Sequence, residues 1–300
     1  MSSFETVGIV GKRRDPQVVP TLMQLLEILR ALDRRVCVED ITLAGVELPD
    51  DVQRLPRTQL ATACDLVVVV GGDGTLLSAA RDLAPAGVAL LGINQGRLGF
   101  MVDVPPAEMR EAFTAIFAGD YVREDRLMLH ARLLREKRTQ TFVAMNDVVI
   151  RNQAAIRMLE FESWLDGEFI SQHRADGFIV ASPTGSTAYA LSGGGPVVHP
   201  GLDALTLVPI CPHTLSDRPI VVSGRQTVRI TLRGAPNTVA MLTCDGQTAE
   251  TLHAGESFEV GKAEFRLQLV HPNNYSYFNI LRNKLHWGRG PAVDMTSNQH

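Results

Sequence analysis

Apolar positions along the first 120 residues recur with two alternating periods. Val7–Gly11 is a short continuous apolar run, as in a strand buried on both faces. Asp15-Pro16 then supplies an N-cap and a proline suited to a first helical turn. Val18, Leu22, Leu25, Leu29 and Leu32 follow at spacings of four and three, the signature of one apolar helix face. A second strand is predicted over 36–43. The uniformly apolar Leu66–Val70 predicts another buried strand, Leu76, Leu77, Ala80 and Leu83 a helix, and Val88–Ile93 a further strand. Pro105–Phe117 reads as a helix with Met109, Phe113 and Ile116 inward, closed by Gly119.

Strand alternating with helix predicts a doubly wound, Rossmann-like α/β domain over residues 1–120. From about Tyr121 the pattern changes. Strand-length runs follow one another at 127–134, 141–150, 157–165, 205–211, 219–223, 227–233, 239–244 and 257–270, with polar and apolar residues alternating in Arg229–Arg233. Residues 121–275 are therefore predicted to form a β-rich, sandwich-like domain. The segment 276–288 has helical spacing and is expected to dock back on the first domain.

Composition sets limits on this picture. Hydrophobic residues make up 45% and charged residues 21% of the 300, ordinary for a globular protein and unlike a disordered or coiled-coil chain. The longest strongly apolar run falls far short of the roughly 20 residues of a membrane span, and the N-terminus lacks a signal-peptide pattern. Cys37, Cys64, Cys211 and Cys244 are scattered, with no C-x-x-C, so reduced thiols in a cytoplasmic protein are expected. A net charge of −4 disfavours nucleic acid as a partner. It also requires any anionic ligand to be held by local groups.

Two glycine-rich clusters carry the chemistry. Gly71-Gly72-Asp73-Gly74-Thr75 joins the apolar strand to a helix. Glycines there let a ligand approach the main chain, and free amides at a helix start suit phosphate oxygens. An aspartate in such a turn repels anions, so it makes sense as a proton acceptor or as a contact to a hydroxyl or metal ion. As a plain structural turn, Asp73 would be an N-cap. The second cluster runs from Asp176 to Ser192 and on into Gly193-Gly194-Gly195. Its small residues leave room for a ligand, its hydroxyls can hydrogen-bond one, and Tyr189 can stack on a base. The P-loop, the G-x-G-x-x-G fingerprint and the G-x-S-x-G elbow are all missing, and no histidines stand at metal-ligand spacing. Asn146-Asp147 closes one strand run and is uninformative alone.

Taken together, GGDG, the Asn-Asp pair and Ser-Pro-Thr-Gly-Ser-Thr-Ala-Tyr at 182–189 resemble the NAD kinase family, and its bacterial members in particular. The similarity extends over residues 5–288 and includes LGF at 98–100, HTLSDRPIV at 213–221 and HPNNYSYF at 271–278. GGDGT alone is shared with 6-phosphofructokinases and with diacylglycerol and sphingosine kinases. The resemblance implies NAD bound between the two domains and phosphorylated by ATP, with Mg carried on the nucleotide and neither a protein-bound metal nor a prosthetic group. It implies Asp73 as general base. Gly71, Gly72 and Thr75 would face the ATP phosphates. The dinucleotide contacts it implies are Gly74, Phe100, Asn146, Asp147, Arg157, Arg174, Asp176 and Thr184, then Thr187, Ala188, Tyr189, Ala190, Leu191, Ser192 and Gln247. A cytoplasmic homo-oligomer, dimer or tetramer, is implied as well. Gly193 stands where alanine is commoner, and Asp217 replaces a small residue. A lipid kinase would need a membrane-facing surface, and no basic amphipathic helix is visible. A silent NAD sensor would have lost Asp73 or its glycines, and a plain scaffold leaves two glycine clusters unexplained.

Overall fold

The computed structural model describes residues 4–12, 15–96, 99–135, 138–152, 158–214 and 216–287, with backbone only at 248 and 249. The chain divides into two units. One gathers the described residues of Met1–Leu76, Leu90–Arg123 and Val270–His300; the other holds Leu77–Ala89 and Glu124–Leu269.

The first unit opens with strand β1 (Thr6–Gly11), wholly buried. Asp15 caps the following turn through Gln17 N at 3.0 Å, and Pro16 begins the short 3-10 turn that leads into helix α1 (Val19–Ala31). Leu22, Leu25 and Leu29 are buried on its inner face, as the spacing requires. Strand β2 (Arg35–Glu39) is shorter than predicted, because Glu39 turns inward to meet Arg57 at 2.7 Å and Thr42 at 2.6 Å. Strand β3 (Gln53–Leu55) and helix α2 (Arg57–Ala63) escape sequence reading because their residues are largely polar. Strand β4 (Leu66–Val70) is an interior strand, fully buried, followed by helix α3 (Asp73–Leu83), strand β5 (Ala89–Ile93) and helix α4 (Met109–Phe117).

The sheet order is β5-β4-β1-β2-β3, with β1 parallel to both β2 and β4. The strand order therefore reverses between β1 and β4. In doubly wound sheets, ligands bind beyond the carboxyl ends of the strands at such a switch point. The carboxyl end of β4 is where the Gly71–Gly74 turn begins.

In the second unit, strands β6 (Tyr121–Arg135), β7 (Arg138–Ala144), β8 (Asp147–Asn152), β9 (Leu159–Leu165), β10 (Glu168–Ala175) and β11 (Gly177–Ala181) precede helix α5 (Tyr189–Ser192). Strands β12 (Ala204–Ile210), β13 (Ile220–Ser223), β14 (Val228–Arg233), β15 (Val239–Cys244), β16 (Thr248–His253) and β17 (Ser257–Pro272) complete it. An antiparallel six-stranded sheet has the order β13-β12-β11-β8-β15-β16. A second layer runs β10-β9-β14-β17, and β6 pairs with both β17 and β7. Phe161, Phe178, Ile230, Leu242 and Phe258 share one buried core, so this unit is a sandwich. The outer face of the six-stranded sheet packs Val149, Ile179 and Val208 against Ala190 of α5. Helix α6 (Tyr277–Leu285), capped by Ser276, belongs to the first unit and buries Tyr277, Ile280 and Leu281.

Candidate active site

In the first unit the turn after β4 is tight and open at once. A Cβ on Gly71 would meet Thr75 Oγ1 at 2.5 Å, whereas nothing lies within 4 Å of one on Gly72 or Gly74. The backbone at 72 and 74 is exposed and approachable. Asp73 does not cap its own helix. Its carboxylate accepts Phe100 N at 3.0 Å and Met101 N at 3.1 Å, one on each oxygen. Gly99 is obligatory in that arrangement, since a Cβ there would collide with Asp73 Oδ1 and Val102 Cγ2. Asp73 is thus a half-buried carboxylate, locked in orientation by two amides, at the carboxyl edge of the sheet.

In the second unit the organising group is a residue the sequence reading missed. Asp245 sits in the β15–β16 turn with a left-handed backbone (φ 51°), followed by Gly246 at φ 64°. Its buried carboxylate accepts Asn146 N at 2.8 Å, Met145 N at 3.1 Å and Asp147 N at 3.3 Å. Arg81 Nη1 donates to it at 2.8 Å and, through Nη2, to Gln247 at 2.6 Å. These bonds explain why the apolar run predicted over 141–150 breaks at Met145–Asn146 into β7 and β8. Burial, and then the Asp245 charge beside it, pushes the Asp147 carboxyl up to about 7. Asn146 Oδ1 is buried without a hydrogen-bond partner among the described residues, a cost that a ligand donor would remove.

The second cluster is folded over this pair. Ser182 N donates to Asn146 O at 2.9 Å, and the Ser182 hydroxyl bonds Met145 O and Gly185 N. Only glycine fits at 185, because a Cβ would overlap the Asn146 carbonyl. Ser186 ties Pro183 O to Val198 N, and the Thr187 hydroxyl bonds Thr184 O at 3.2 Å. Thr184 itself is buried and accepts from Arg126 at 3.4 Å. Asn146, Asp147, Val149, Arg151, Ala188, Tyr189, Thr243, Asp245 and Gly246 line one cavity of about 380 Å3. Tyr189 keeps 44% of its surface exposed, as a stacking platform does.

Of the sequence-predicted residues, Asn146, Asp147, Ala188 and Tyr189 meet in this cavity. Leu191 and Ser192 lie on α5, and Ala190 is buried beneath it. Arg174 is exposed on β10 beside Glu160 at 3.3 Å, and Asp176 follows where β10 gives way to β11. Phe100 contributes its amide to Asp73 and lies under the Lys284 ammonium, 5.9 Å from the ring centroid. Arg157, with Leu98 and Leu215 of the family segments, lies outside the described residues. Arg81, Arg151, Thr243, Asp245 and Gly246 were not anticipated. Asp245-Gly246 between two strand runs is a hairpin-turn signal, but nothing local announces what its carboxylate binds. Among the described residues no group of three or more His, Cys, Asp or Glu is placed to hold a metal ion.

The ATP-NAD kinase N-terminal domain model matches residues 7–121, and the ATP-NAD kinase C-terminal domain model matches 145–272. The NAD kinase of Teredinibacter turnerae is 44% identical over 289 residues, covering 96% of this chain and 98% of its own. That of Chromohalobacter salexigens is 44% identical over 288 residues, with the same coverage. Among solved structures, yeast NADH kinase complexed with NADH superposes with a TM-score of 0.87 at 24% identity, over 96% of this chain and 89% of that one. An NAD kinase from Archaeoglobus fulgidus in complex with ATP gives 0.74 at 27% identity, over 94% and 98%. With both domain models matched in order and relatives aligned nearly end to end, this chain belongs to the ATP-NAD kinase family of enzymes.

Proposed function

We propose that this kinase transfers the γ-phosphoryl group of ATP to the 2′-hydroxyl of the adenosine ribose of NAD, giving NADP, with Asp73 as general base. The observation that carries the reading is the Asp73 carboxylate itself. Two backbone amides fix it, and lone pairs remain on both oxygens for a substrate hydroxyl. Phosphoryl transfer needs an aligned nucleophile and charge neutralisation more than covalent help. The turn's backbone, exposed at Gly72 and Gly74, and the Mg brought in with ATP supply the second. Asp73 supplies the first and accepts the hydroxyl proton as the bond to phosphorus forms. Asn146, Asp147 and Tyr189 bind the dinucleotide, and Arg174 and Asp176 contact it from the end of β10. In the same reading the enzyme is cytoplasmic and a homo-oligomer, and light scattering of the purified protein tests its oligomeric state.

Asp73→Asn keeps one of the two amide contacts, on its remaining oxygen, but cannot take a proton. NADP formation with NAD, ATP and Mg should fall about 10²–10⁴-fold in kcat while NAD binding persists. A variant that turns over at the wild-type rate removes Asp73 from the base role.

A further inference from the structure

On the edge of the sandwich three side chains of different segments are joined in series. Ser163 Oγ of β9 lies 2.8 Å from His173 Nε2 of β10, and His173 Nδ1 lies 3.2 Å from Asp217 Oδ2 in the segment before β13. The carboxylate can only accept, so Nδ1 carries a proton; with a neutral ring, Nε2 then accepts from the Ser163 hydroxyl. The imidazole stacks on Phe161 at 5.0 Å and touches Phe178 at 5.1 Å, which fixes its plane. The array lines a cavity of about 220 Å3.

The order Ser, His, Asp is that of an activated nucleophile, but the setting is wrong for attack. Ser163 has no solvent exposure, and its strand is paired on both sides, opposite Ser171 on β10 and Ile230 on β14. What the array does join is β10 to the segment 213–217. His213 N donates to Arg174 O at 2.9 Å at one end of that segment, and Asp217 holds His173 at the other. Asp176 N, just beyond, donates to Ile210 O at 2.9 Å.

We infer that Ser163, His173 and Asp217 are positioning residues, a relay that fixes the end of β10 and thereby presents Arg174 to the dinucleotide. The inference rests on the reading of Arg174 as a substrate contact. Asp217→Ala should raise the KM for NAD about five- to tenfold with kcat within about twofold, the effect of one ordinary hydrogen bond. Asp217→Asn, which keeps an acceptor for Nδ1–H, should restore most of the loss. In an Arg174→Ala background, Asp217→Ala should add less than about twofold, since the group it positions is gone. Should Asp217→Ala fail to fold, Ser163→Ala runs the same cycle from the other ring nitrogen. If Arg174→Ala leaves KM unchanged, Arg174 is no contact and the reading beneath the relay fails. If Arg174→Ala raises KM but Asp217→Ala does nothing, or the two effects multiply, the relay is overturned while the contact stands. Labelling of Ser163 by a fluorophosphonate would make it a nucleophile and overturn the positioning role as well.

Discussion

Asp73 and Asp147 show how differently two carboxylates are used in one enzyme. Asp73 is oriented by amides from a loop that only a glycine at 99 lets close. Asp147 is buried beside a second acid and held up at about 7. The sign of that shift has a consequence for stability. Well below pH 3.8 the carboxyl is protonated folded or unfolded, and there is no penalty. As pH rises from the ordinary value of 3.8 towards 7 the unfolded chain ionises and the folded one resists, so stability is lost across that window. Asp147→Asn should abolish this loss, which is on the order of a few kcal/mol. Urea unfolding at several pH values between about 4 and 8 would measure it. Parallel pH profiles for variant and wild type would mean Asp147 ionises normally.

At the level of elements, what the sequence made legible was whatever hydrophobicity encodes. The unbroken apolar β4 and the three-four spacing of α1 were readable because each buries its own apolar face. The division between β7 and β8 was hidden, because apolar residues continue through Ala144-Met145 and the break is imposed by a carboxylate about a hundred positions away. The cavity was half legible for the same reason. Asn146 and Tyr189 sit in recognisable motifs, whereas Arg81, Arg151 and Asp245 reach the site through the register of strands and turns far apart in sequence. Asp245→Ala leaves three amides and a guanidinium without their acceptor. A loss of about 3–5 kcal/mol on urea unfolding is expected, together with a raised KM for NAD. Full retention of both would show that the 145–147 loop keeps its shape unaided.

For the whole molecule the relevant quantity is charge. With a net charge of −4 and anionic substrates, distant electrostatics work against capture. Raising ionic strength at fixed Mg from about 0.02 to 0.15 M should leave kcat/KM for NAD unchanged or slightly higher, as the Debye length shrinks. A steep fall would reveal a local positive field strong enough to override the net charge.

The first unit is assembled from both early and late chain. On a ribosome, β1 to β4 and then α4 emerge early, yet their unit still lacks the stretch from Val270, where His271 is buried against Asp103 at 3.0 Å and α6 adds its apolar face. The sandwich, encoded between them, can close while the first-made strands still wait. Domains generally fold in order of synthesis; here the unit begun first is completed last, and the glycine turn with the Asp73 carboxylate belongs to it.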